Sequence, residues 1–168
     1  VVDSNGEAAD PIIFDVTRAW APYGADRFYA LVNDSYYDEA VFFRVVPDFV
    51  VQFGIAADPA ETAKWETTIP DDPVLESNLE SYVTFATAGP DTRTTQLFIN
   101  YINNIGLDDQ GFAPFAKVSS GMETANMIIN PTPGNSNGIN QALYTHGGNA
   151  WLLPKYPNVS LITSVSFI

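Results

Sequence analysis

Few residues in this chain can do covalent chemistry. His146 is its only histidine, and it has no cysteine. Thiolate catalysis, disulfides and sulfur-ligated metals are therefore excluded. A Ser-His-Asp triad would have to recruit His146, and no G-x-S-x-G elbow accompanies it. That histidine sits in His146-Gly147-Gly148-Asn149, which reads as a loop. A lone histidine there is more often structural or solvent-exposed than catalytic. One histidine cannot supply the three or four ligands of a zinc site. There is no phosphate-binding glycine loop, no G-x-G-x-x-G and no EF-hand spacing. No metal and no cofactor is expected.

Two features point to chemistry of another kind. Arg44 interrupts the apolar run Val41-Phe42-Phe43-Arg44-Val45-Val46. A charged fork among apolar neighbours needs a partner or a functional reason, although pairing with an acid or reaching solvent would be enough. Further on, alternation puts Gln96, Phe98 and Asn100 on one strand face and Leu97, Ile99 and Tyr101 on the other. The second face suits a core. The first mixes amides with an aromatic ring, which would suit a groove for extended peptide or a solvated surface.

The elements that must carry these residues are mostly short strands. Runs rich in Val, Ile, Phe, Tyr and Thr cover Pro11–Thr17, Val41–Val46, Phe49–Ile55, Tyr82–Thr87, Gln96–Tyr101, Phe115–Ser119 and Leu161–Ile168. Twelve prolines and eleven glycines separate them. That pattern predicts an antiparallel barrel or sandwich. Two segments read as helices. In Ala25–Asn33 the residues Phe28, Leu31 and Val32 share one face, and in Gly121–Ile129 so do Met122, Ala125 and Ile129. Ser120 and Glu123 have the spacing of a capping box. Asp58–Asn78 and Asn130–Asn140 read as loops.

The chain has 168 residues, twenty acids against seven bases and a formal charge of −13. One domain over residues 1–168 is expected, with 1–10 a flexible N-terminal segment. The acidic surface repels nucleic acid and anionic membranes, and no apolar run of 18 residues would span a bilayer. Beginning at Val1, the chain reads as a processed or excised piece, so the missing signal peptide carries no information. Sequons at Asn33-Asp34-Ser35 and Asn158-Val159-Ser160 hint at a secretory or extracytoplasmic route. Nothing demands more than a monomer.

Taken together, the blocks resemble a cyclophilin. Phe42-Phe43-Arg44-Val45-Val46-Pro47-Asp48-Phe49-Val50-Val51-Gln52 is similar to that family's F-H-R-V-I-P-G-F-M-x-Q signature. Ala25-Asp26-Arg27-Phe28-Tyr29-Ala30-Leu31 resembles its first helix, and Tyr36-Tyr37-Asp38 the G-Y-Y-D before the arginine strand. Phe85-Ala86-Thr87-Ala88-Gly89-Pro90-Asp91-Thr92 resembles M-A-N-A-G-P-N-T, and Thr95-Gln96-Leu97-Phe98-Ile99 resembles S-Q-F-F-I. Leu107-Asp108, Phe115-Ala116-Lys117-Val118 and Gly121-Met122-Glu123 resemble the L-D, F-G-K-V and G-M-D segments. The blocks run in family order from about residue 11 to 129. The tail Asn149–Ile168 resembles the closing strand of a bacterial-type branch.

The resemblance implies a mainly β fold, an eight-stranded antiparallel barrel capped by two helices. It implies peptidyl-prolyl cis-trans isomerase activity on proline-containing peptides or unfolded proteins. Arg44 matches the catalytic arginine and Gln52 the glutamine that holds and polarises the substrate. Phe49, Val50, Phe98 and Leu107 match the proline pocket. Ala86 and Thr87 match the strand whose backbone pairs with the residue before proline, and Gln96 lies at the groove edge. There are departures. Val50 replaces a Met, Phe43 a His, Thr87 an Asn, and Phe53-Gly54-Ile55 a G-G-D. The loop Leu107–Phe115 is one residue longer than in well-known members. Their Trp has no match there, and Phe112 takes the place of their His. A groove that binds without turnover is the main alternative, and a structural barrel within a larger protein a third reading.

Overall fold

Six short strands form one antiparallel sheet in the order β1-β6-β4-β5-β3-β2. They are β1 (Ile13–Val16), β2 (Arg44–Val46), β3 (Val50–Phe53), β4 (Tyr82–Phe85), β5 (Leu97–Asn100) and β6 (Pro114–Ser120). Among the described residues four helices accompany them: α1 (Pro22–Asn33), α2 (Pro59–Lys64), α3 (Met122–Asn126) and α4 (Gln141–Leu152). A 3-10 turn spans Ile105–Gln110. The computed structural model describes residues 9–168. Most of the expected N-terminal segment 1–10 thus lies outside the described residues.

Alternation along the strands separates two faces. Val51, Phe53, Val83, Phe85, Leu97 and Ile99 turn inward to the main core, where α1 adds Ala25, Phe28, Leu31 and Val32. Phe28 meets Phe115 with ring centroids 5.2 Å apart. Each such side chain, fully buried, contributes about 1.5–3 kcal/mol. The first turn of α1 has Pro22 but no cap from its own N-cap residue, Ala21. A distant carboxylate supplies it instead. Asp72 accepts from the backbone amides of Tyr23 (3.0 Å) and Gly24 (2.9 Å), satisfying donors that a helix start leaves open. Asp72 is itself paired with buried Arg93 at 3.0 Å.

A second apolar cluster joins Val41, Phe43, Ile55 and Ile139 to Tyr144 and Leu152 of α4. Phe43, in the place of a histidine, is wholly buried and meets Tyr144 edge-on at 6.2 Å. This helix was not anticipated, because Gly147-Gly148 breaks its pattern. It is kinked at Gly148, where φ is 54°. His146 accordingly lies on a helix rather than in a loop. It is exposed, with Nδ1 2.7 Å from the Ala142 carbonyl oxygen.

The sheet corrects two further expectations. Eight strands in a closed barrel were expected; six are formed, and among the described residues the edges β1 and β2 do not meet. The expected strand Leu161–Ile168 is reduced to a single bridge between Leu161 and Val41. Beyond it, the Val165 amide donates to Asp38 Oδ1 at 3.0 Å and Phe167 stacks on Tyr29 of α1 at 4.8 Å. These contacts draw the segment away from β1 and leave a cavity of about 580 Å³ between them. The capping box also fails. Ser120 is taken up in β6, opposite Ile13, and Gly121 caps α3 in the left-handed region at φ 90°. Asp58–Asn78, expected as loop, carries α2, whose Asp58 cap accepts from the Ala60 amide at 2.8 Å.

Candidate active site

Strand register sets a row of side chains across the outer face of the sheet. Arg44 on β2 is opposite Gln52 on β3, Gln52 is opposite Phe98 on β5, and Phe98 is opposite Thr84 on β4. Directly opposed residues share a face, so these four share one. Val50 and Asn100 form the next row, also opposite each other.

The polar members are linked. Arg44 Nη1 donates to Gln52 Oε1 at 3.0 Å, and Gln52 Nε2 donates to Gln96 Oε1 at 2.8 Å. From its other side, Arg44 Nε donates to the carbonyl oxygen of Ser136 at 2.7 Å. The guanidinium lies over the Phe49 ring, 5.9 Å from its centroid. Among the described residues it has no carboxylate within ion-pair distance. Burial holds its pKa below the ordinary arginine value, yet a guanidinium stays charged at any working pH. The alternative of a plain surface ion pair for Arg44 is thus set aside. The site presents a half-buried cation fixed by neutral acceptors.

The apolar members gather beside it. Phe98 is 5% exposed and meets Phe112 edge-on, with centroids 5.7 Å apart. Val50 is buried on β3. Phe49 precedes that strand, its carbonyl oxygen held by the Tyr101 amide at 2.9 Å. Ala86 lies just past β4 and donates its amide to the Gln96 carbonyl at 2.9 Å. Thr87 turns its hydroxyl into its own turn, toward the carbonyl of Gly89. Leu107 lies on the 3-10 turn and is tied to Phe112 by a backbone bond of 3.3 Å. Side-chain contacts thus join Arg44, Gln52, Gln96 and Phe49 in one group and Phe98 and Phe112 in another, and strand register sets Phe98 opposite Gln52. Val50, Ala86, Thr87 and Leu107 attach through their strand positions or backbones.

Ser136 was missed, because a carbonyl acceptor leaves no trace in residue type. Gly138 carries a signal of its presence. A Cβ there, at φ 74°, would come within 2.6 Å of both the Arg44 Cβ and the Phe43 carbonyl oxygen. Only glycine lets this loop press so closely on β2. The large cavity beside β1 is lined by none of the candidate residues. It is lined from the core side of the sheet, by Phe53 and Ile99 among others, and not by the face that carries this row.

The family described as "Cyclophilin type peptidyl-prolyl cis-trans isomerase/CLD" matches residues 2–143. Peptidyl-prolyl cis-trans isomerase ppi1 of Schizosaccharomyces pombe is 34% identical over 118 residues, which is 66% of this chain and 74% of that protein. Peptidyl-prolyl cis-trans isomerase A of Dickeya dadantii is 35% identical over 114 residues, 64% of this chain and 60% of that protein. A Cryptosporidium parvum cyclophilin type peptidyl-prolyl cis-trans isomerase, crystallised in the presence of the dipeptide Ala-Pro, superposes with a TM-score of 0.61. It is 26% identical, over 74% of this chain and 82% of that one. With a family match over residues 2–143 and relatives of this identity, the chain belongs to the cyclophilin-type peptidyl-prolyl cis-trans isomerases.

Proposed function

We propose that Arg44 is the catalytic residue for X-Pro isomerisation in this chain, and that Phe49, Val50, Phe98, Leu107 and Phe112 hold the proline ring. Rotation about a peptide bond faces a barrier of roughly 18–20 kcal/mol, because the nitrogen lone pair is conjugated with the carbonyl. No bond is broken, so no nucleophile, base or metal is needed. In the twisted state the nitrogen becomes pyramidal and basic. A guanidinium that donates to it favours that state over the planar ones, which is the differential binding catalysis requires. The observation that carries this reading is the fixing of Arg44 by Gln52 and Ser136, with no carboxylate among the described residues to compete for its remaining donors.

The other roles are those the family resemblance implies. Gln52 orients the arginine and meets the substrate carbonyl. Gln96 bounds the groove. The backbone of Ala86 and Thr87 pairs with the residue before proline. The substrates are proline-containing peptides or unfolded segments, taken by one domain acting as a monomer. A net charge of −13 argues against nucleic acid as a partner.

Exchange NMR on a short X-Pro peptide tests this, with wild type and Arg44→Ala side by side. The wild type accelerates exchange. The variant keeps its fold and loses most turnover, tenfold for each ~1.4 kcal/mol of lost preference. Equal turnover in a folded variant removes Arg44 from the role. Peptide binding without acceleration in the wild type would make the groove a recognition site.

A further inference from the structure

Three asparagines stand behind the row. Asn78 and Asn100 are 0% exposed and Asn104 is half-buried. An unsatisfied buried amide costs about 1–3 kcal/mol, so each must find partners. Asn78 Nδ2 donates to Asp108 Oδ1 and to the Phe112 carbonyl oxygen, both at 2.8 Å. Its backbone amide also donates to Asp108 Oδ1, at 2.9 Å. Its own Oδ1 accepts from Thr84 Oγ1 at 2.8 Å and from Asn100 Nδ2 at 3.4 Å. Asn100 Oδ1 accepts from Asn104 Nδ2 at 2.8 Å, and that same group donates to the Phe49 carbonyl oxygen at 3.0 Å. The Asn104 amide closes the circuit on the Asn78 carbonyl at 2.7 Å.

The ends of this network are the backbones that carry the aromatic groups. Phe49 is held by Asn104 and Phe112 by Asn78. Phe98 sits between Thr84, its partner across the ladder, and Asn100, two positions along β5. Leu107 is held through its amide, which donates to the Asn104 carbonyl at 2.9 Å. The β3–β5 ladder and the Tyr101 amide fix Phe49 relative to Phe98; among the described residues no ladder joins β5 to the 3-10 turn, so the placing of Leu107 and Phe112 against that pair draws on the side-chain amides. Fully shielded, Asn78 touches no substrate.

We propose that Asn78, acting with Asn100 and Asn104, is the positioning residue of the proline pocket, a bracket that sets the distance of Phe112 from the Phe49–Phe98 pair. The inference rests on the reading of those side chains as that pocket. It separates two jobs within one site. The bracket governs how well the ring is held, while Arg44, on β2 and outside the network, governs the rate once it is held.

The test measures peptide affinity by NMR titration and the cis-trans rate of bound peptide by line shape. The proteins are wild type, Asn78→Ala, Asn104→Ala and a control, Ile162→Val, in the main core and outside the network, with melting temperatures recorded for all. Asn78→Ala weakens affinity about tenfold, equivalent to ~1.4 kcal/mol, with the bound-state rate retained. The control loses stability without losing affinity. Should Asn78→Ala fail to fold, Asn104→Ala decides, since it removes the side-chain bonds to the Phe49 carbonyl and to Asn100 Oδ1 while leaving those of Asn78 to Asp108, Phe112 and Thr84, and it must still weaken affinity. Unchanged affinity in the folded variants, or an equal loss in the control, overturns the bracket. If peptide moves no Phe49, Phe98 or Phe112 resonance in the wild type, the pocket assignment falls with it. If it moves them and Asn78→Ala binds normally, only the bracket falls.

Discussion

Arg44 donates from Nη1 to Gln52 Oε1 at 3.0 Å, while the amide nitrogen of Gln52 faces Gln96 at 2.8 Å. The orientation of one amide is therefore fixed from both ends. Its oxygen must face the cation and its nitrogen must face the next acceptor. Only a side chain with one donor end and one acceptor end satisfies both neighbours.

Gln52→Glu should expose that requirement. The shape is kept, but a carboxylate would form a charge-assisted fork with Arg44 and leave Gln96 Oε1 without its donor. Turnover is expected to fall at least about tenfold, ~1.4 kcal/mol in the barrier, with little change in melting temperature. Exchange NMR and a thermal melt read the two quantities separately. Full turnover would mean that the arginine does not need neutral acceptors.

Gly138→Ala tests the other side of the same guanidinium. The left-handed conformation alone costs an L residue roughly 1–2 kcal/mol. The added methyl would also meet the Arg44 Cβ and the Phe43 carbonyl oxygen at 2.6 Å. The loop must lift, taking the Ser136 carbonyl from Arg44. The expected result is a larger loss in turnover than in peptide affinity. A change in stability alone would show that the loop supports the fold and not the arginine.

Asp72 is expected to matter for stability and not for turnover. It pairs with Arg93 in the interior and receives two amides at the start of α1. Removing one partner of a buried pair costs about 3–5 kcal/mol. Asp72→Ala should lower the urea midpoint accordingly, with activity per folded molecule unchanged.

Acid stability should report on Asp108. Partial burial pushes its carboxyl up, but hydrogen bonds from the side chain and amide of Asn78 and from Ser77 outweigh this and leave it below the usual carboxylate range. The unfolded value is about 3.9. A depressed folded value contributes stability that is present above the unfolded value and lost as pH falls through the folded one. Asp26 and Asp34 shift the same way. The comparison is therefore between wild type and Asp108→Asn, followed by denaturant midpoints from pH 6 downward. The gap between the two proteins should narrow below about pH 4. A constant gap would mean that ionisation of Asp108 is not what the network uses.

What could be read from residue order was whatever residue type alone determines. Arg44 stands out because a cation breaks an apolar run, and the alternation Gln96-Phe98-Asn100 places its face correctly. The first helix was legible from Phe28, Leu31 and Val32. What escaped depends on distance or backbone. The Ser136 carbonyl lies 92 residues from Arg44. Asn78 sits in a stretch that composition marks as loop, and nothing in its neighbours shows that it is buried. The start of α1 was missed by three residues because its cap, Asp72, comes from elsewhere in the chain. The tail Leu161–Ile168 has strand composition, but composition cannot say whether an edge is within reach.

The gap beside β1 bears on how the molecule breathes. That strand has one ladder partner, β6, and the register between them shifts after Ile13. Strands held on one side open at a lower free energy than those held on two. Amide hydrogens of β1 should therefore exchange with solvent well before those of β3 and β5, by local opening that leaves the Arg44 row intact. The same motion would bare Phe14 and Phe28 to solvent and offer an unpaired strand edge to any other extended chain. The two edge strands lie at opposite margins of the sheet, β1 beside the gap and β2 carrying Arg44, so opening at the first leaves the second paired with β3.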